Sequence, residues 1–245
     1  WRMDLTGTPT SYPAPIKFAT LTNGAGDALP VTTRPLVEVD PGSKKRYVMV
    51  GTGRLLADSD TSSTQRQALY AIIDGTASAG TFYTAATLPG SVTFPIDRGD
   101  LNANTNVLTG IGSSPANPMG WYLDLGPTDG TVAERINVNA VSNVGVVGIG
   151  VNKPGGSACA PGGTSRVLAM TFGNGKSVLV NSSNVLIAQS TVTNGMVTDI
   201  GILNAGGRIR LVAGDTSGGV NSPALGESAA LSLKRLNWRE VPTVD

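Results

Sequence analysis

The sequence predicts an all-β chain, and three observations carry that reading. Short β-branched runs recur along its 245 residues, each bounded by Gly, Asn, Asp or Pro. No stretch sustains the 3.6-residue apolar period of an amphipathic helix. Gly accounts for 32 residues and charged residues for only 14%, a composition that suits tight turns and small packed side chains better than solvated helices.

Strands are expected first over residues 47–50 (Tyr-Val-Met-Val) and 68–74 (Ala-Leu-Tyr-Ala-Ile-Ile-Asp). Residues 64–73 are the best helical candidate but read equally well as the entry to that second strand. Further strands are expected over 91–94, 121–125, 135–139, 144–151, 166–172, 177–180, 185–190, 197–203 and 208–213. The pairs Asp74-Gly75, Asn174-Gly175, Asn194-Gly195 and Gly206-Gly207 offer residues that tolerate positive φ, as tight hairpins require. Two longer loops are expected, over 110–120 and over 153–163, the latter with Cys159. Strands of one character lie on both sides of each loop, so residues 1–245 read as a single unit.

A weak internal repeat narrows the architecture. Residues 47–53 (Tyr-Val-Met-Val-Gly-Thr-Gly) lead to 69–75 (Leu-Tyr-Ala-Ile-Ile-Asp-Gly), and 146–150 (Val-Val-Gly-Ile-Gly) lead to 165–171 and a Gly-Asn-Gly turn. Residues 1–7 resemble the second half of the same unit. A strand ending in Gly followed by a strand ending at a Gly turn suits the inner hairpin of a propeller blade, where small residues permit crowding. Three or four antiparallel blades of up to four strands are expected, with 47–51 and 144–150 among the inner strands.

Composition removes many functions. There is no histidine, which excludes Ser-His-Asp and Cys-His catalysis and every His-ligated metal site. Cys159 has no second cysteine in the chain to pair with. The net charge of +1, without a basic block, gives nucleic acid or anionic lipid nothing to hold. No run approaches a transmembrane helix, and Trp1-Arg2-Met3-Asp4 is not a signal peptide. No catalytic residue can be nominated, and no enzyme activity is expected.

Gly51-Thr52-Gly53-Arg54, then Asp58, Asp60, Gln65 and Leu69-Tyr70-Ala71-Ile72 ending at Asp74, resemble a stretch of the PilY/PilC family of type IV pilus biogenesis and tip-adhesin proteins, in its C-terminal propeller. Other blocks follow in the family's order: Trp1-Arg2-Met3-Asp4-Leu5, residues 30–35, Gly120-Trp121-Tyr122-Leu123-Asp124-Leu125 with Glu134-Arg135, Cys159 with Gly162-Gly163, and Asn237-Trp238-Arg239-Glu240. The chain departs from the family by starting at Trp1, without the Asp-rich loop and strand that usually precede that block. The resemblance implies an all-β fold, the C-terminal part of a β-propeller of four-stranded antiparallel blades, with the upstream part missing from this sequence. It implies an extracellular, non-enzymatic component of the pilus tip or outer-membrane surface, supporting pilus assembly, adhesion and twitching motility. Its implied partners are minor pilins, host or surface ligands and the remaining half of its own propeller. It also implies calcium, bound in the upstream loop and by no residue of this chain. Trp1 to Leu5 would then pair with a strand outside the sequence or stand at a raw edge.

Several motifs have simpler readings. Residues 172–177 (Phe-Gly-Asn-Gly-Lys-Ser) end like a phosphate-binding loop, but Met170 stands where its first Gly belongs and a strand follows, so a hairpin turn is expected. Asp100, Asn102, Asn104 and Asn106 alternate like a calcium loop, yet Thr105 and Ile111 occupy the positions of the required Gly and Glu, so a polar turn is expected. Asp58 and Asp60 read as caps of a solvated loop. Arg98, Gly99 and Asp100 spell an integrin-type tripeptide, the one adhesive candidate, against a structural reading as a strand start. Trp1, Trp121 and Trp238 read as blade-core anchors, and Cys159 as a buried or loop thiol. Two other functions compete with the pilus reading: a generic exported β-sandwich or phage surface module, and a quinoprotein-like propeller enzyme, which would need a full ring and a metal.

Overall fold

Strand alternation lets one sheet carry a different core on each face, and this chain uses that property repeatedly. The computed structural model describes residues 1–226 other than 4, 6–10, 78–81, 114, 127–130, 144, 158–159, 193–194 and 206–207. The first sheet is built from β1 (Leu36–Val39), β2 (Lys45–Gly51), β3 (Ala68–Thr76), β4 (Asn102–Ala103) and β5 (Gly120–Asp124), in the order β1-β2-β3-β5-β4. All its pairs are antiparallel except β4 with β5, which is parallel. The second contains β6 (Val141–Asn143), β7 (Val146–Ser157), β8 (Ala160–Thr171) and β10 (Ser190–Val192), in the order β10-β8-β7-β6. Between β8 and β10 the chain leaves to form β9 (Leu179–Val180), which belongs to the third sheet. That sheet runs β11 (Val197–Ala205), β12 (Arg208–Asp215), β14 (Ala224–Leu225) and β9, with β13 (Val220–Asn221) also paired to β12. The third sheet therefore takes its edge strand from within the chain segment that builds the second.

The three sheets stack face to face. In β3, Leu69, Ala71 and Ile73 point to a core shared with Val147, Ile149, Val151, Leu168 and Met170 of the second sheet. Ala68, Tyr70 and Ile72 point the other way, onto Phe18, Leu29, Ile96 and Met119. In turn β8 sends Val167 and Ala169 to a core with Val197, Ile200, Leu211 and Ala213 of the third sheet. Central strands buried on both faces read as continuous apolar runs, which is why residues 64–73 read as helix and strand equally; 68–73 are strand and 64–67 lie outside it.

Glycine sets the spacing between sheets. A Cβ on Gly51 would lie 2.3 Å from Ile136 Cγ2, and one on Gly148 would lie 2.4 Å from Leu211 Cδ1. The repeat seen in the sequence thus corresponds to β2–β3 and β7–β8, the equivalent central hairpins of successive sheets. Its glycines admit side chains between neighbouring sheets, and β2 and β7 are second in their sheets, inside the short edge strands β1 and β6. β2 and β7 do not share a continuous sheet, and the second sheet packs on the first with one face and on the third with the other, so the chain is not a two-sheet sandwich.

Several expectations need correction. Residues 91–94 form turns and bends, and 135–139 contribute a single bridge, Arg135 with Asn152. The loop expected over 153–163 is instead the far end of the β7–β8 hairpin, paired from Lys153↔Thr164 to Ser157↔Ala160. Asp74-Gly75 does not turn a hairpin; it forms a bulge inside β3, with Gly75 at φ +93°, where the register to β2 shifts. Trp1 is no core anchor: it is 84% exposed. Arg2 bridges Ile16 and turns inward, so the alternate residues Trp1, Met3 and Leu5 face solvent. Arg2 pairs with buried Asp74, donates to the Tyr83 carbonyl at 2.6 Å and lies 5.2–5.8 Å from the ring centroids of Phe18, Phe82 and Phe94. Burial holds the Asp74 carboxyl above its ordinary pKa despite the Arg2 charge. Trp121 is fully buried as expected, whereas Trp238, Cys159, Asn194 and the Gly206-Gly207 pair lie outside the described residues.

Candidate functional site

The end of β2 and the start of β3 diverge around a polar cavity of about 340 Å³. Residues 52–67 leave the sheet there, and a short 3-10 turn over Asp58–Ser62 folds back under them. Asp60 caps that turn as expected, but its side chain is buried beneath an exposed loop, and the residue is only 4% exposed. Its Oδ2 accepts from the N–H groups of Leu56 (2.9 Å) and Ala57 (3.0 Å), and its Oδ1 accepts from Arg54 Nε at 2.8 Å. The Leu56 bond, helped by Arg54 and Ala57, holds the carboxyl below the ordinary Asp range against the opposing effect of burial.

Arg135, 3% exposed, enters from the segment linking the first two sheets. Its Nη1 donates to the carbonyls of Arg54 (2.8 Å) and Asp60, and its Nη2 to that of Ala133 at 3.1 Å. Burial pulls its pKa below the ordinary arginine value, with Asp60 acting in the opposite sense. Its Nε has no partner, and neither does Oε1 of Gln67, a residue 5% exposed that also borders the cavity. Buried polar atoms in native proteins are nearly always paired, and these two are exceptions among the described residues together with Asn104 Oδ1. Sequence reasoning noted Arg54, Asp60 and Arg135 without joining them, because Arg135 arrives from 75 residues away in the chain.

The adhesive candidate lies elsewhere. Arg98, Gly99 and Asp100 form a single 3-10 turn closed by reciprocal caps: Gly99 N–H donates to Asp97 Oδ1 (2.7 Å) and Asp97 N–H to Asp100 Oδ2 (3.0 Å). Arg98 is turned inward, paired with Asp124 and stacked 3.7 Å from the ring centroid of Tyr122. Asn102 and Asn104 brace the backbone: Asn102 donates to the carbonyls of Asn117 (2.6 Å) and Gly120 (2.7 Å), and Asn104 to that of Gly175 at 2.8 Å. Asn106 accepts from the Leu108 N–H at 2.9 Å. Residues 172–177 form the expected turn. Gly175, at φ +65°, lies flush against the Trp121 indole, where a Cβ would come within 3.1 Å of Cε2, and Trp121 Nε1 donates to the Phe172 carbonyl at 2.7 Å.

Successive, mostly antiparallel sheets packed face to face, with an equivalent central hairpin in the first two, are the architecture of part of a β-propeller. No family model matches it. The chain is 27% identical over 238 residues to the type IV pilus biogenesis factor PilY1 homolog of Xylella fastidiosa, a match covering 88% of this chain and 18% of that protein. Its fold matches the crystal structure of the Pseudomonas aeruginosa PilY1 C-terminal domain with a TM-score of 0.59 and 17% identity, over 88% of this chain and 49% of that one. The chain therefore spans about half of the crystallised domain and under a fifth of the curated relative. Both comparisons bear out the resemblance to the PilY/PilC C-terminal propeller.

Proposed function

We propose that this chain is a propeller segment of a type IV pilus biogenesis factor, acting without catalysis in pilus assembly outside the cell. The observation that carries the reading is that sequence and fold independently find PilY1 proteins, each over 88% of the chain. A sequence without histidine, with one cysteine and near-neutral charge, fits a scaffold better than an enzyme. Among the described residues no helix is long and apolar enough to cross a membrane. Minor pilins and the rest of the propeller are its proposed partners, and calcium is proposed for a loop upstream of Trp1. In-frame deletion of this segment from its parent protein is expected to reduce surface pili and twitching; a strain with normal pili and motility would overturn the reading.

Adhesion through Arg98, Gly99 and Asp100 is the finer part of the proposal. It demands release of the guanidinium from Asp124 and Tyr122. Asp100→Glu, which keeps the charge but misplaces it, should lower surface adhesion while pilus number stays constant. Unchanged adhesion would remove the tripeptide from consideration.

A further inference from the structure

We propose that the third sheet turns an unfilled packing face outward, and that a further β-sheet of the parent protein covers it by seating a branched aliphatic side chain on Gly201. The proposal rests on the reading of this chain as a propeller segment and names the face that meets the rest of the propeller. Strand alternation assigns that face. Ile200, Ile202, Leu211 and Ala213 of β11 and β12 point to the second sheet, so Gly201, Leu203 and Val212 point away from it. Gly201 lies opposite Val212, and Val220 of β13 lies opposite Gly214 on the same outer side. Leu203 is 54% exposed and Val220 is 70% exposed. Continuity with the two inner junctions argues for the occupant. Each earlier sheet turns glycine toward the chain that follows, and a branched aliphatic side chain fills each seat: Ile136 at Gly51, Leu211 at Gly148, and Val197 at Gly150, where a Cβ would lie 2.8 Å from Val197 Cγ1. Gly201 occupies the same kind of position on the third sheet, yet nothing lies within 4 Å of a Cβ built there. An open glycine seat between exposed aliphatic side chains is what either inner junction would present if its next layer were removed. The crystallised propeller domain that the chain matches is about twice as long as the chain, so a parent of that kind holds further sheets to supply the layer.

The test compares thiol labelling in the 245-residue chain and in the full-length parent protein. Leu203→Cys and Val220→Cys report on the face, and Ser182→Cys, on an exposed turn, serves as the control. Labelling by a maleimide is followed at each position by peptide mass spectrometry, so that other cysteines do not count. In the 245-residue chain the three thiols should react at similar rates. In the parent those at 203 and 220 should react at least about tenfold more slowly, limited by local opening, while the thiol at 182 keeps its rate. Gly201→Ile, which fills the seat from the wrong side, should restore fast labelling at 220 in the parent and leave the urea midpoint of the 245-residue chain unchanged. Should that variant of the parent not fold, the comparison without it still decides. Equal rates at 203 and 220 in the two proteins would overturn the proposal. So would slow labelling already present in the 245-residue chain: independent of concentration, it would mean that the chain covers its own face, and increasing with concentration, that a second copy does. The rates do not depend on piliation, so a failure of the pilus reading and a failure of this proposal are told apart.

Discussion

Gly51→Ala is the most direct test of how the sheets stack. The added Cβ would lie 2.3 Å from Ile136 Cγ2 and 2.6 Å from Ile136 Cβ, well inside the ~3.5–4.0 Å at which carbon atoms attract. Ile136 is 1% exposed and its Cβ cannot rotate away, so the segment linking the first two sheets must move off β2 locally. Overpacking of this kind costs about 1–3 kcal/mol. Gly201 on β11 supplies the control, because nothing lies within 4 Å of a Cβ built there. Both substitutions remove the same unfolded-state freedom, worth about 0.4–1 kcal/mol in favour of Ala, so their difference isolates packing. Equilibrium urea unfolding should therefore show Gly51→Ala less stable and Gly201→Ala equal to or above wild type. Ile136→Ala alone should cost about 2–5 kcal/mol through its cavity. In the double variant the new methyl partly fills that cavity, so the total should fall short of the sum by about 1 kcal/mol or more. Additive effects, or equal losses at positions 51 and 201, would show that Gly51 does not hold the Ile136 segment at close approach to β2.

Two further outcomes follow from the same contacts. Trp121→Phe removes the indole N–H that satisfies the Phe172 carbonyl and opens space beside Gly175; a loss of about 2–4 kcal/mol is expected in chemical unfolding, and wild-type stability would refute the clamp. Asp60 has a folded-state pKa below its ordinary value of 3.8, so its charged form stabilises the fold above that value and the contribution fades as pH falls through the lower folded pKa. Asp60→Asn should therefore be less stable than wild type at neutral pH, and the two unfolding midpoints should converge in acid. A gap that stays constant with pH would mean that the charge of Asp60 is not what the Leu56 and Arg54 contacts use.

Much of the strand set was legible because β-branched runs between turn residues depend on local chemistry. Residues 47–50, 68–74 and 166–171 are strands for that reason. The glycine-rich hairpin tip over 153–163 was not legible, since cross-strand pairing from Lys153↔Thr164 onward holds it extended against weak local preference. Trp1 was misjudged because its block does not reveal which alternate face meets the core; Asp74 and three aromatic rings draw Arg2 inward, and Trp1 goes outward.

The sequence alone determined the all-β class, the repeated central hairpin, the exclusion of histidine chemistry and the likeness to the PilY/PilC propeller. Each rests on composition or on residues near one another in the chain. Only the tertiary structure decided that the repeat's glycines admit side chains from the next sheet or from the segment leading to it, and that Arg54, Asp60, Gln67 and Arg135 line one cavity. Those facts depend on contacts between segments up to about eighty residues apart, and burial, which makes an unpaired Nε or Oε1 significant, exists only once the sheets have stacked.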